Sequence, residues 1–132
     1  MNANEVKLVR VYTREKGGII FEDTFPFDAE FEVVLEARAG TALFATGGRF
    51  EIQAVVRDLT DNRVIVHKGT LGPGNFGDKN WPAPSLLTGC LIPAQGPQKE
   101  GHIYEVIATL AFGTANPNIS FVRSPVFIIC KP

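Results

Sequence analysis

Apolar and polar residues alternate with a period of two over most of this chain, as in strands that bury one face. In the stretch from Glu30 to Arg38, Phe31, Val33, Leu35 and Ala37 point one way, and Glu30, Glu32, Glu36 and Arg38 point the other. Arg49 to Leu59 repeats the device, with Phe50, Ile52, Ala54 and Val56 set against Glu51, Gln53 and Arg57. Leu59 to Arg63 then supplies turn residues, Asp61 and Asn62 being able to take positive φ, and Val64 to Lys68 returns as the second arm of a hairpin. His102 to Phe112 places Tyr104, Val106, Ala108, Leu110 and Phe112 on one face, yet its other face carries Ile103 and Ile107. A strand apolar on much of both sides is expected at the centre of a sheet. The predicted core is therefore Phe31, Val33, Leu35, Phe50, Ile52, Ala54, Val56, Tyr104, Val106, Ala108 and Leu110.

The remaining segments fill in around these. Glu5 to Thr13 reads as a first strand, Lys16 to Gly18 as a turn, and Ile19 to Thr24 as a short second strand. Thr114 to Asn118 reads as a turn. Phe121 to Ile129 closes the fold, with Pro125 at a bulge or an edge. Glu32 to Phe44 is the one helical candidate, but its alternation, the Val33-Val34 pair and Gly40 favour strand. The spacing predicts an all-β chain of about seven to nine strands in one antiparallel β-sandwich domain spanning residues 1–132.

One stretch breaks the pattern. Residues 71–101 hold more than half of the nine prolines, the single tryptophan and one of the two cysteines. Proline removes a backbone donor and glycine frees φ, so the stretch is predicted to be a long Gly/Pro-rich loop, with Leu86 to Ile92 able to form one short strand within it. Loops of this length tend to carry function. Phe76, Asp78 and Trp81 are the candidate ligand-binding residues, the rings offering flat contact area and the carboxylate direction. Trp81 is expected to be partly exposed, and Leu86, Leu87, Leu91 and Ile92 to pin the middle of the loop to the core.

The C-terminal third resembles the last two strands of immunoglobulin-like and fibronectin type III-like domains. The resemblance rests on Lys99-Glu-Gly-His-Ile-Tyr-Glu-Val106, the strand and turn that follow, and Ser124-Pro-Val-Phe127. Tyr104 matches the position of the tyrosine corner, two residues before the core residue Val106. The resemblance implies a sandwich whose Tyr104 hydroxyl bonds backbone just upstream of its strand. It implies no function, since such sandwiches host many. Val106 stands where a true immunoglobulin domain has cysteine, and the only tryptophan lies outside the strands.

Composition narrows the function. The net charge is −1 with scattered lysines and arginines, so no nucleic-acid footprint is present. No apolar run reaches the ~20 residues of a membrane span, and the N-terminus lacks the apolar core of a signal peptide. The expectation is a cytoplasmic chain without membrane contact. Cys90 and Cys130 are isolated and carry no support for a disulfide.

Candidate chemistry is sparse. Gly72-Pro-Gly-Asn-Phe-Gly77 matches GxGxxG, but prolines follow where a dinucleotide site needs a helix. Cys90 and His102 are a candidate nucleophile and base, with Asp78 or Glu100 to orient them, but no family signature surrounds them. Glu22, Asp23, Asp28, Glu30, Glu32 and Glu36 accumulate where no lysine or arginine intervenes, which suits a cation or a basic partner if the side chains converge, and a solvated face if they do not. No catalytic residue, metal or cofactor is predicted. The leading expectation is a non-catalytic module for protein interaction or self-assembly. The alternatives are a small-molecule or carbohydrate-binding protein using residues 71–101 and, more weakly, a small hydrolase.

Overall fold

The computed structural model describes residues 5–113 and 118–132, the side chains of residues 66–72 excepted. The predicted turn at 114–118 falls mostly outside them. The period-two segments form two sheets. The smaller has three strands in the order β1 (Val6–Glu15), β3 (Phe31–Ala39), β6 (Ser85–Ile92). The larger has six: β2 (Thr24–Pro26), β9 (Phe127–Cys130), β7 (Ile103–Phe112), β4 (Arg49–Asp58) and β5 (Arg63–Asn75) in that order, with β8 (Asn118–Arg123) also on β7. Every pairing is antiparallel except β2 with β9, which is parallel and so departs from the all-antiparallel expectation. One five-residue helix, α1 (Thr41–Ala45), follows β3. The predicted strand runs out at Gly40, whose N–H donates to Glu5 O, and Leu43 and Phe44 then pack half-buried against the core.

The inward phases meet between the sheets. All residues of the predicted core are buried. Two aromatic groups close its ends. Phe25, Phe31, Phe127 and Tyr104 pack together at the start of β7, with Phe25 stacked on Phe31 at 4.7 Å. Phe50, Phe76 and Trp81 pack at the other end, the indole meeting both phenyl rings edge-on at 5.0 and 5.1 Å. The β4–β5 turn forms as predicted, with Asn62 at φ 56 accepting a hydrogen bond from Arg57.

Three expectations are corrected. First, residues 71–101 are not one loop. β5 continues to Asn75, well past the predicted Lys68, and Ser85 to Ile92 is a full edge strand, leaving residues 76–84 and 93–102 as the connections. Second, Phe121 to Ile129 is two strands. Ser124 bridges the break: its N–H donates to Val106 O, its hydroxyl accepts from Val106 N–H, and the hydroxyl donates to Pro125 O. Pro125 lacks the donor needed to continue the ladder. Third, the Tyr104 hydroxyl donates to a side chain, Gln95 Oε1 at 2.9 Å, rather than to backbone. Gln95 passes the tether on, donating from Nε2 to Pro93 O.

Candidate interaction surface

Residues opposite one another in an antiparallel pair point to the same side, so register assigns the outer face of the larger sheet row by row. Glu51, Ala111 and Ile119 make one row, Gln53, Thr109 and Phe121 the next, and Val55, Ile107 and Arg123 the third. Farther along, Ile103 pairs with Ile128. Ile119 is 73% exposed, Phe121 56%, Ile103 43% and Ile128 38%. Large apolar side chains thus lie on β8 and on β9, separated by the ion pair of Arg123 with Glu105 at 3.8 Å and bordered by the polar Glu51, Gln53 and Arg57 of β4. A shallow hollow of about 250 Å³ lies between Ile119, Ala111 and the Glu51–Gln53 pair. An apolar centre with a polar margin is the anatomy of a protein contact.

The outer face of the smaller sheet is built on the opposite plan. Register aligns Arg14 with Glu32 and Arg10 with Glu36 across β1 and β3. Arg14 Nη2 lies 3.0 Å from Glu32 and Arg10 Nε 2.7 Å from Glu36, while Lys16 reaches Glu30 and Arg38 reaches Glu36. The Gly17 N–H donates to Glu32 Oε1, and this bond, with that from Arg14, holds the Glu32 carboxyl below the usual range. The β3 acids of the predicted acidic patch are therefore bonded to β1 cations. Glu22, Asp23 and Asp28 lie outside β3 and do not join them.

The residues proposed for ligand binding lie together but turn inward. Trp81 is fully buried, contrary to the partly exposed indole expected, and Phe76 is buried beside it. Asp78 draws the intervening turn tight. Its carboxylate accepts the N–H groups of Asn75, Asn80 and Trp81, which hold its pKa down. Residues 77–80 form turns, so the GxGxxG run opens no helix. Of the four pins, Leu86 and Ile92 are buried, but Leu87 and Leu91 face out, because a strand sends alternate residues to opposite sides.

Cys90 and His102 are not brought together. Cys90 lies on β6, its thiol donating to Leu91 O, whereas His102 sits at the entry to β7 with Nδ1 2.8 Å from Asp58 Oδ2. Both cysteines are free. The cluster around Asp58 was missed. Asp58 is fully buried and accepts from Thr60 and Asp61 N–H, from Lys99 Nζ at 3.2 Å and from His102. Burial pushes its carboxyl up, but the bonds from His102, the Asp61 N–H and Lys99 outweigh that and hold it below the usual range. Asp61, Asp58 and His102 have metal-ligand spacing. The Lys99 ammonium already bridges the two carboxylates, 3.0 Å from Asp61, and that bond leads those that raise its pKa. The cluster locks the β4–β5 turn to the loop before β7. A sequence signal existed: Asp58 occupies the inward phase of Phe50, Ile52, Ala54 and Val56.

No protein-family model matches the chain, and no curated protein matches it either. Among the described residues, no helix is long and apolar enough to cross a membrane.

Proposed function

We propose that the chain is a non-catalytic, immunoglobulin-like β-sandwich that works by binding another protein through the outer face of its larger sheet. The strand order supports the fold assignment: β1, β3 and β6 correspond to strands A, B and E, and β4, β7 and β8–β9 with β5 to C, F and G with C′. The observation that carries the functional reading is the exposure of Ile103, Ile119, Phe121 and Ile128 on one face of the larger sheet. Four large side chains on one face, two on either side of the Arg123–Glu105 ion pair, would stay partly wet in an isolated sandwich. The test is affinity enrichment from extract with the wild-type chain and with the double variant Ile119→Lys/Phe121→Glu. Proteins held by the wild type and lost with the folded variant support the reading. Equal enrichment by both removes it.

A second reading, small-molecule binding, has one observation in its favour. A cleft of about 370 Å³ lies between β1 and residues 123–125, lined by Arg10, Tyr12, Ile19, Phe21 and Arg123. Its aromatic walls suit a small aryl ligand, whose carboxylate would share Arg10 with Glu36 and Arg123 with Glu105. Amide shifts at Tyr12, Ile19 and Phe21 on titration with benzoate-type fragments would support it, and unshifted amides would not.

A further inference from the structure

The second edge of β6 meets no strand among the described residues. Ala39 N–H donates to Pro84 O, which makes 39 and 84 a hydrogen-bonded pair. Bonded pairs recur every second residue. Leu86, Thr88, Cys90 and Ile92 therefore bond to Ala37, Leu35, Val33 and Phe31 of β3. Ser85, Leu87, Gly89 and Leu91 turn their N–H and C=O groups to the free edge. The bond from Gly40 N–H to Glu5 O, on the β1 side of β3, independently fixes the same alternation.

That edge carries none of the features that usually blunt one. Ser85 to Ile92 contains no charge and no proline. Leu87 is 61% exposed and Leu91 39%, and both flank the side-chain-free Gly89 at a distance of two residues.

We propose that β6 pairs antiparallel with β6 of a second copy of this chain, about a two-fold axis at Gly89. The strand is self-complementary in this register. Gly89 faces Gly89 of the partner subunit as a hydrogen-bonded pair. Leu87 faces Leu91 of the partner subunit, and Leu91 faces Leu87 of the partner subunit, so four leucines gather on the outer face around two glycines. The rows behind them end in Glu36 and Glu32, which Arg10 and Arg14 already neutralise, so no like charge opposes the second copy. The two smaller sheets become one continuous sheet, β1-β3-β6 joined to β6-β3-β1. This contact uses a different surface from the β8–β9 face, and either can fail without the other.

Sedimentation and amide exchange of the full chain over a range of concentrations test the proposal. The expected result is a concentration-dependent dimer in which the Leu87, Gly89 and Leu91 amides pass from fast to slow exchange, while Leu86, Thr88 and Cys90 are slow throughout. Leu87→Lys/Leu91→Lys should raise the dimer Kd at least ~100-fold through four opposed ammonium groups. Ile119→Lys should leave it unchanged. A monomer at every concentration up to ~1 mM overturns the proposal and leaves the edge to a foreign strand. A dimer whose Leu87, Gly89 and Leu91 amides stay fast, or whose Kd ignores the lysines, overturns it too. If the lysine variant does not fold, the wild-type exchange pattern decides alone.

Discussion

The two outer faces of this sandwich solve the same problem in opposite ways. On the smaller sheet, acids of β3 meet basic residues of β1 across the strand pair, and even the outward Val34 is only 1% exposed in its row with Tyr12. On the larger sheet, β7 and β8 place Ile107, Ala111, Ile119 and Phe121 side by side, and the ion pair between Arg123 and Glu105, at 3.8 Å, lies beyond them toward β9. A face closed by its own ion pairs has little left to offer a partner. A face left apolar gains by being covered, at roughly 25 cal/mol per Å² of apolar area removed from water. The difference is why we propose the larger sheet as the interaction surface, and it leaves the smaller sheet only its uncharged margin, β6.

Substitutions can break or sharpen this contrast. The largest effect falls at the end of the molecule where the larger sheet is locked to the loop before β7. Asp58→Ala strands two N–H groups, Lys99 and His102, and should cost about 2–4 kcal/mol in denaturant unfolding. Because the folded carboxyl of Asp58 titrates below its usual value, its contribution is complete above about pH 4 and is lost as pH falls through the folded pKa. Lys99 titrates above its usual value, so its contribution is complete below that value and is lost as pH rises through the folded pKa. The variant should flatten both limbs of the stability–pH curve, and an unchanged acid limb would show that Asp58 is not the hub.

Val34→Ala comes next. Its outward phase suggests an exposed, tolerant position, but its burial predicts a loss of about 1–3 kcal/mol by chemical unfolding. A neutral result would mean that the charged rows leave that face open. Glu32→Gln should cost about 1 kcal/mol, less in high salt, since it keeps shape but weakens the bonds from Gly17 and Arg14. The wild-type contribution is present above the ordinary carboxyl pKa and is lost as pH falls through the lower folded value, so the variant should show no such loss at acid pH. Ile119→Lys should change stability least, by under about 0.5 kcal/mol, because the side chain is already in water. A large loss there would mark Ile119 as part of the fold rather than of a surface.

The inner half of this architecture was legible from period-two alternation alone, because a strand with one buried face advertises its phase. Phe50, Ile52, Ala54 and Val56 could be assigned without any other element. The same alternation was present in Leu86 to Ile92, but its glycine and flanking prolines hid a complete edge strand, since an edge needs only half of its backbone groups paired. Trp81 was misread for a different reason. Its partners Phe50 and Phe76 are far apart in sequence, and only the fold shows that three rings close one end of the core. The apolar second faces of β7 and β8–β9 were visible as an excess of isoleucine and phenylalanine. The register that aligns Ile119 beside Ala111 and Ile103 beside Ile128 was not, because it depends on where Ser124 breaks the strand.

The most direct measurement is photo-crosslinking from one position on each outer face. A photoreactive residue replaces Ile119 on the larger sheet or Glu30 beside the charged rows of the smaller one, and each chain is irradiated in extract with and without excess unlabelled wild type. Position 119 should give discrete protein adducts that the wild type competes away and that excess Ile119→Lys/Phe121→Glu does not, while position 30 gives none that compete. Competable adducts at position 30 with none at 119, or the same adducts at both, would contradict the assignment of the interaction surface to the larger sheet.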